Sequence, residues 1–357
     1  MAGSRKGWAD LHIHSAKSDD GELSIDEIIK LVIKTRNTKT PIRMIAITDH
    51  EDFDFDGLAK GISFAKKNKI QLIPGLEVST EDTIFGFDRV HILSFFPHHK
   101  PKDLKETKIY EIAREMQEEK RIRNEKYIRM FLSYELLKQE EVEDVDFGQS
   151  KATLVERLFG ILQKKGRFKF DSKFYEIKEI QQVWDLVEDR RFKQERKKVS
   201  AESVIYETLA LGGLPVVAHP LLIVYKATLE SFMTRTVKEY REHETDRNKH
   251  ELTASISFII FLNYYQSKFP GLGVEVDYPY AKSREYRKTK KSIVKKAAKQ
   301  FIKRIDRYCR NNDIVRTGGS DFHGLKRDAN VKDVKKNIYI GDGKIELEYA
   351  KELLKIT

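Results

Sequence analysis

Two histidines, His12 and His14, stand one residue apart in DLHIHSAKSDDGELS (residues 10–24), and the adjacent Asp19 and Asp20 follow within six residues. Residues i and i+2 of a strand face the same side, so both imidazoles can point at one ion at the strand's end. A lone HxH permits a metal site without establishing one. Here the pattern recurs. IAITDH ends an apolar run with Asp49 and His50, LIPGLEVS supplies Glu77, RVHILSF supplies His91, PVVAHP supplies His219, and TGGSDFHG supplies Asp321 and His323. Six of the ten histidines therefore lie in or at the ends of apolar, strand-like runs; His98, His99, His243 and His250 fall in polar stretches. Imidazoles and carboxylates without a thiolate suit Zn, Mn or Fe. So many candidate ligands exceed what one ion can use, which points to two or three divalent ions. Their natural chemistry is hydrolysis at phosphorus: the ions lower the pKa of a bound water, neutralise phosphate oxygens and stabilise the leaving oxygen.

Residues so far apart in the chain meet only if the fold gathers strand ends. WADLHI, SIDEIIKLVIKT, IRMIAIT, FDGLAKGISFAKKN and IQLIPGLEVST read as strand, helix, strand, helix, strand, which predicts an α/β layout with parallel strands. Ser24 with Glu27 forms a capping box for the first helix. In a parallel α/β barrel the C-terminal strand ends converge on one site. From residue 101 to residue 198 the chain becomes highly charged with long helical periodicity, predicting a mainly helical insertion into a discontinuous core of residues 7–100 and 199–357. A second helical excursion is expected over 221–269. Segment 282–310 is densely basic, yet Ile293, Val294, Ala297, Ala298, Phe301, Ile302, Ile305 and Tyr308 recur at helical spacing, so one face should be buried and the other positive.

The 357 residues can bury a substantial core, and the one cysteine, Cys309, excludes an intrachain disulfide. The chain shows neither a secretory signal nor an 18-residue apolar run, from which a cytoplasmic protein that does not enter the membrane is expected. A net charge of +11 favours a polyanionic partner or substrate.

With these residues in place, the chain resembles the PHP (polymerase and histidinol phosphatase) superfamily of metal-dependent phosphoesterases. The matching stretches are DLHIHSAKSDDGELS, AITDHEDFDFDG, PGLEVS, VHILSF, GGLPVVAHP and GGSDFHG. The resemblance implies a distorted (β/α)7 barrel with helical insertions and a trinuclear metal site. It assigns His12, His14, Glu77 and Asp321 to one ion, with Glu77 bridging to a second ion bound by His91 and His219. A third ion falls to an aspartate of SDDG with His50 and His323. Family members commonly read HSxxSDG, and counting from His14 selects Asp19; the extra residue before Gly21 leaves Asp20 open, since a one-residue bulge can swing either carboxylate to the ion.

The branch most resembled comprises stand-alone phosphatases and 5'-to-3' exonucleases that act on nucleoside 3',5'-bisphosphates and short RNA or DNA. There an arginine-bearing helix contacts the substrate phosphate, and EEKRIRNEKYI offers Arg121 and Arg123 as the nearest match. Two departures put that pocket in question: SKATLVERL supplies Lys151 but no histidine, and the excursion after His219 is long. The expected reaction is attack on phosphorus by a hydroxide bridging the ions, with Glu77, His219 and Asp321 as the catalytic ligands. The expected substrate is a nucleotide or oligonucleotide, with segment 282–310 as a nucleic-acid contact. Two alternatives stand beside it: a small-molecule phosphatase of the histidinol phosphate type, and a nucleic-acid-binding module with a structural metal cluster.

Overall fold

In the computed structural model the described residues are 7–170, 173–189, 193–194, 197–224, 244–282, 291–324 and 338–355. The chain divides into two compact units, Met1–Glu111 with Val199–Thr357, and Ile112–Lys198.

The first unit opens with β1 (Trp8–Ile13), α1 (Ile25–Lys34), β2 (Ile42–Ile47), α2 (Phe55–Lys67) and β3 (Gln71–Asp82). Both helices begin where the sequence supplies a cap. Glu27 N–H donates to Ser24 Oγ while Ser24 N–H donates back to Glu27 Oε2, and Gly57 N–H donates to Asp54 Oδ1 at 2.9 Å. Helix α1 then buries Ile25, Ile28, Ile29 and Val32, one stripe at helical spacing.

β1, β2 and β3 run parallel, as expected, but β4 (Phe87–Phe95) does not: it pairs antiparallel with β3 and, on its other edge, with β8 (Leu214–Val217). The reason is connection length. Residues 83–86 alone separate β3 from β4, enough for a hairpin and far too few for the crossover of a dozen or more residues that a parallel neighbour requires. β9 (Gly273–Asp277) and β10 (Arg316–Gly318) then add in parallel beyond β8. The last strand, β11 (Ile345–Glu346), pairs antiparallel with β1.

Just past β10 the chain returns to β1. Asp321 N–H donates to His12 C=O at 2.8 Å and His14 N–H donates to Phe322 C=O at 2.9 Å, so the mixed sheet nearly closes into a barrel. One end of its interior is apolar: Ala9, Leu11, Met44, Ala46, Ile73, Leu93, Phe95, Val216 and Ala218 form a single cluster, joined by Ala350 and Leu354.

β1 carries both apolar and chemical residues on one face because it bulges. Asp10 pairs with Ile45 but Ile13 pairs with Ile47, three steps on one strand against two on the other. The extra residue reverses the alternation, so Leu11 joins the apolar cluster and its neighbour His12 also turns inward.

The two-residue β7 (Val199–Ser200) pairs in parallel with β3 ahead of α6 (Ala201–Ala210), which packs outside the sheet on β3, β4 and β8 together with two long helices, named α7 (Glu244–Lys268) and α8 (Lys291–Asn311). Residues 225–243 of the excursion expected over 221–269 lie outside the described residues, as do residues 283–290 of the basic segment. Helix α8 buries Ala298, Phe301, Ile305 and Cys309 and exposes Lys296, Lys299, Lys303, Arg307 and Arg310. Among the described residues no helix is long and apolar enough to cross a membrane.

The second unit contains most of α3 (Lys108–Ser133), α4 (Lys151–Lys165), a hairpin of β5 (Arg167–Phe170) and β6 (Lys173–Glu176), and α5 (Ile180–Glu188). It has a core of its own, with Tyr127, Phe131, Leu154, Leu158, Leu162, Val183 and Val187 fully buried.

Candidate metal centre

Beyond the apolar end of the barrel, the same strands turn polar. His12 leaves β1 and His14 follows it; His50 comes three residues after β2; Glu77 sits within β3; His91 sits within β4; His219 follows β8; Asp321 and His323 follow β10. The antiparallel β4 reaches the same place because His91 faces Ser79 in the β3–β4 register, one step along the same face from Glu77.

Three groups of donor atoms result, each with every pair of ligand atoms within 4.8 Å: His12, His14, Glu77 and Asp321; Glu77, His91 and His219; and His14, Asp20, His50 and His323. Glu77 lies between them. Its Oε2 faces His12 Nε2 at 3.1 Å, His14 Nε2 at 3.2 Å and His50 Nδ1 at 3.3 Å, while its Oε1 faces His91 Nδ1 at 2.7 Å and His219 Nε2 at 3.1 Å. Asp321 Oδ1 lies 3.1 Å from His14 Nε2.

The donor chemistry fits divalent cations. His12 presents Nδ1 to the Glu275 carboxylate at 3.1 Å, which leaves Nε2 to face His14 Nε2 and the Glu77 carboxylate, each at 3.1 Å. Imidazole and carboxylate acceptors so close together require a positive charge between them, which protons on the rings or a shared cation can supply. His50 Nδ1 and His323 Nε2 are likewise buried and make no hydrogen bond, although carboxylate oxygens lie 3.3 Å from each.

Burial and charge compete over each proton in the cluster. Burial prevails at His50, pushing the imidazole down to about 4, and it also lowers His91. At His14 burial opposes protonation, but hydrogen bonds to Asp321 and Glu77 push the ring up to about 9. His12 and His219 are raised in the same way against their burial. Glu77 and Asp321, which burial alone would raise, are held below the usual carboxylate range by the surrounding imidazoles.

The cluster is held by groups that are not themselves ligands. Glu275, fully buried in β9, accepts from the backbone N–H of His219 at 2.8 Å with Oε2 while Oε1 faces His12. Tyr278 OH donates to Asp321 Oδ2 at 2.8 Å, leaving Oδ1 for the histidines. Asp49 accepts from the N–H and hydroxyl of Ser15 at 2.5 and 2.7 Å and so braces the turn after His14. Asp10, buried and pushed up to about 7 by desolvation, accepts from Ser320 N–H and Gly341 N–H, tying β1 to the loops beside it.

His219 and Asp321 adopt φ of 30° and 55°, a region that costs a residue with a side chain of order 1–3 kcal/mol. Their backbone bonds to Glu275 and to His12 C=O hold them there. Gly319 is required by proximity: a Cβ there would lie 2.1 Å from His12 Cβ.

Of the two neighbouring aspartates, the structure brings Asp20 into the third group and leaves Asp19, selected by spacing, outside it. A tight turn decides this. Gly21 N–H donates to Ser18 C=O at 3.1 Å, which puts Asp19 and Asp20 at the two corners of the turn. Ser18 Oγ then donates to Asp20 Oδ1 at 3.1 Å, aiming that carboxylate at His323 Nε2, 3.3 Å away, and His50 Nε2, 3.8 Å away.

Arg121 and Arg123 belong to the second unit. Arg121 pairs with Glu118 at 2.7 Å and Glu125 at 3.3 Å, and Arg123 donates twice to the side-chain oxygen of Asn124. Sequence reasoning passed over Glu275, Tyr278 and Asp10. The signal for Glu275 was an acid alternating with valines in GVEVD, a carboxylate in a run that otherwise reads as buried strand.

A family model described as the PHP domain matches residues 10–195, more than half of the chain. His219, Asp321 and His323 lie beyond that match, yet the fold returns them to the same cluster. No curated protein sequence matches. Among solved structures, the chain is similar to an amidohydrolase from Chromobacterium violaceum determined with bound sulfate and no metal, at 18% identity over 97% of this chain and 95% of that one, TM-score 0.54. It is also similar to a protein of Bifidobacterium adolescentis solved as a candidate metal-dependent phosphoesterase, at 16% identity over 98% and 96%, TM-score 0.51. At such identities the likeness is one of fold. The fold agrees with what the matched sequence establishes: this chain belongs to the PHP-domain family.

Proposed function

We propose that the protein is a metal-dependent phosphoesterase that hydrolyses phosphate esters of nucleotides or short oligonucleotides, using two or three divalent ions of the Mn, Zn or Fe kind. The observation that carries this reading is Glu77, a buried carboxylate whose two oxygens face different sets of imidazoles. Such a carboxylate suits a bridge between cations. Family membership and the name of the Bifidobacterium protein support the same reaction class.

When bound, the cations supply a water of lowered pKa and neutralise the charge on the phosphate oxygens. His12, His14, Glu77 and Asp321 would hold one ion, Glu77, His91 and His219 a second, and His14, Asp20, His50 and His323 a third. Glu275 keeps the proton of His12 on Nδ1, so that Nε2 stays free to ligate. Tyr278 orients Asp321. His219, with Nε2 on the Glu77 carboxylate, occupies a ligand position rather than that of a proton donor to the leaving group.

Purified protein reloaded with Mn, Zn or Fe is tested on a mononucleotide, a nucleoside 3',5'-bisphosphate, a 5'-phosphorylated oligonucleotide and histidinol phosphate. Turnover of the nucleotide substrates that His12→Ala and Asp321→Ala abolish is expected. Absence of turnover on the whole panel, or activity that survives both substitutions, would sink the reading; turnover confined to histidinol phosphate would redirect it to small-molecule phosphatases.

A further inference from the structure

The three donor groups differ in what holds them. Glu275 faces His12 Nδ1 and accepts from the backbone N–H of His219, so it braces one ligand of each of the first two groups. Neither contact reaches the third group, His14, Asp20, His50 and His323, which gathers residues from the segments after β1, β2 and β10.

Ser18, only 3% exposed, meets three of these four residues through one atom. Its Oγ donates to Asp20 Oδ1 at 3.1 Å, accepts the backbone N–H of His50 at 3.2 Å and lies 3.4 Å from His14 Nδ1. A hydroxyl has one proton to give and two lone pairs to receive. With the proton given to Asp20 and one lone pair taken by His50 N–H, the other is left for a proton on His14 Nδ1. That match orients the His14 ring as well. Its Nε2 faces Glu77 Oε2 at 3.2 Å and Asp321 Oδ1 at 3.1 Å, and a ring that keeps its proton on Nδ1 offers Nε2 to a cation.

The backbone of the turn closes without this hydroxyl. Ser18 N–H donates to Ser15 C=O at 3.0 Å and Gly21 N–H donates to Ser18 C=O at 3.1 Å, so replacing Ser18 by alanine leaves the turn its own hydrogen bonds. We propose that Ser18 is a positioning residue for the third ion: its hydroxyl aims Asp20, anchors His50 and orients His14, although it ligates no metal itself. The first ion shares His14 but keeps His12, Glu77 and Asp321, and the second shares no ligand that Ser18 touches. Loss of the hydroxyl therefore falls mainly on the third. The inference rests on the metal centre assigned in the phosphoesterase reading above.

Metal-free wild type, Ser18→Ala, Asp20→Asn and the double variant are titrated with Mn(II) alone, and bound ions are counted and their Kd values measured by calorimetry. Ser18→Ala is expected to bind one ion about ten- to hundredfold more weakly than wild type, or to lose it, with the remaining ions within about threefold. Because the hydroxyl acts in part through Asp20, the double variant is expected to lose clearly less affinity for that ion than the product of the two single losses. Wild-type number and affinity of ions in Ser18→Ala overturns the proposal. Equal weakening of every ion, which a general loosening of the fold would cause, overturns it too, as do losses that simply multiply in the double variant. Wild-type protein that binds no Mn(II) overturns both this inference and the metal centre beneath it. Turnover is not the readout, so a protein that hydrolyses none of the esters named above refutes the phosphoesterase reading while the titration still decides the role of Ser18.

Discussion

Glu77 and Leu93 face each other across β3 and β4, and the two ends of the barrel interior meet at this pair. On the Leu93 side the strands contribute Ala9, Leu11, Met44, Ala46, Ile73, Phe95 and Val216, which fill space and favour folding without further help. On the Glu77 side the same strands contribute imidazoles and carboxylates whose acceptors oppose one another. The contrast teaches a division of labour within one sheet. The apolar end supplies the stability and rigidity, and the polar end spends some of both, through buried charge and left-handed backbone at His219 and Asp321, to hold ligand atoms close together.

The sharpest way to break the contrast is at the pair itself. Glu77→Ala should lower turnover of the metal-loaded protein by at least about a thousandfold and reduce its metal content, measured by elemental analysis. Full metal content with turnover near that of wild type would place Glu77 on the packing side instead. Leu93→Ala should do the opposite, costing about 2–5 kcal/mol of stability by denaturant unfolding and leaving the number of bound ions unchanged.

Smaller effects refine the boundary. Asp20→Asn should weaken the third ion and cost activity about ten- to hundredfold, the range seen when groups that hold or orient a metal are altered, whereas Asp19→Asn should change it by less than about threefold. The reverse result would restore the aspartate that spacing selects. Chelation should lower the melting temperature of wild type, by linkage, and leave Glu77→Ala nearly unaffected.

The least effect belongs to a polar network outside the barrel. Asp306 is desolvated in part, yet Arg310 and Arg316 hold its carboxyl below the ordinary value of 3.8. A depressed carboxyl contributes stability above its unfolded value and loses it as pH falls through the folded one. Asp306→Asn should therefore cost about 0.2–1 kcal/mol at neutral pH, with the difference closing as the pH falls below about 4 in thermal unfolding.

Much of the centre is legible in the chain, for a simple reason. Histidine and aspartate at the end of an apolar run, as in IAITDH or PVVAHP, contradict the burial pattern around them, and local patterning explains no such contradiction. What could not be read follows from geometry at longer range. Nothing local distinguishes Asp19 from Asp20, since the choice depends on a turn closed between Gly21 and Ser18 and on where His50 and His323 arrive. The direction of β4 turns on a four-residue connection, which an apolar run read by itself does not disclose. Arg121 and Arg123, the phosphate contacts that a motif suggests, pair in this structure with acidic and amide neighbours one, three and four positions along α3, a local arrangement the motif does not disclose.

Residue type and period thus decided which elements form, which positions are buried and which side chains could ligate an ion, because those properties depend on neighbours a few residues away. Which donor atoms gather around one point, which aspartate reaches them, and that Glu275 stands behind the centre were decided by the closing of the sheet. Atoms from β1, β3, β4, β8 and the segment after β10 come within hydrogen-bonding distance only once the barrel is complete.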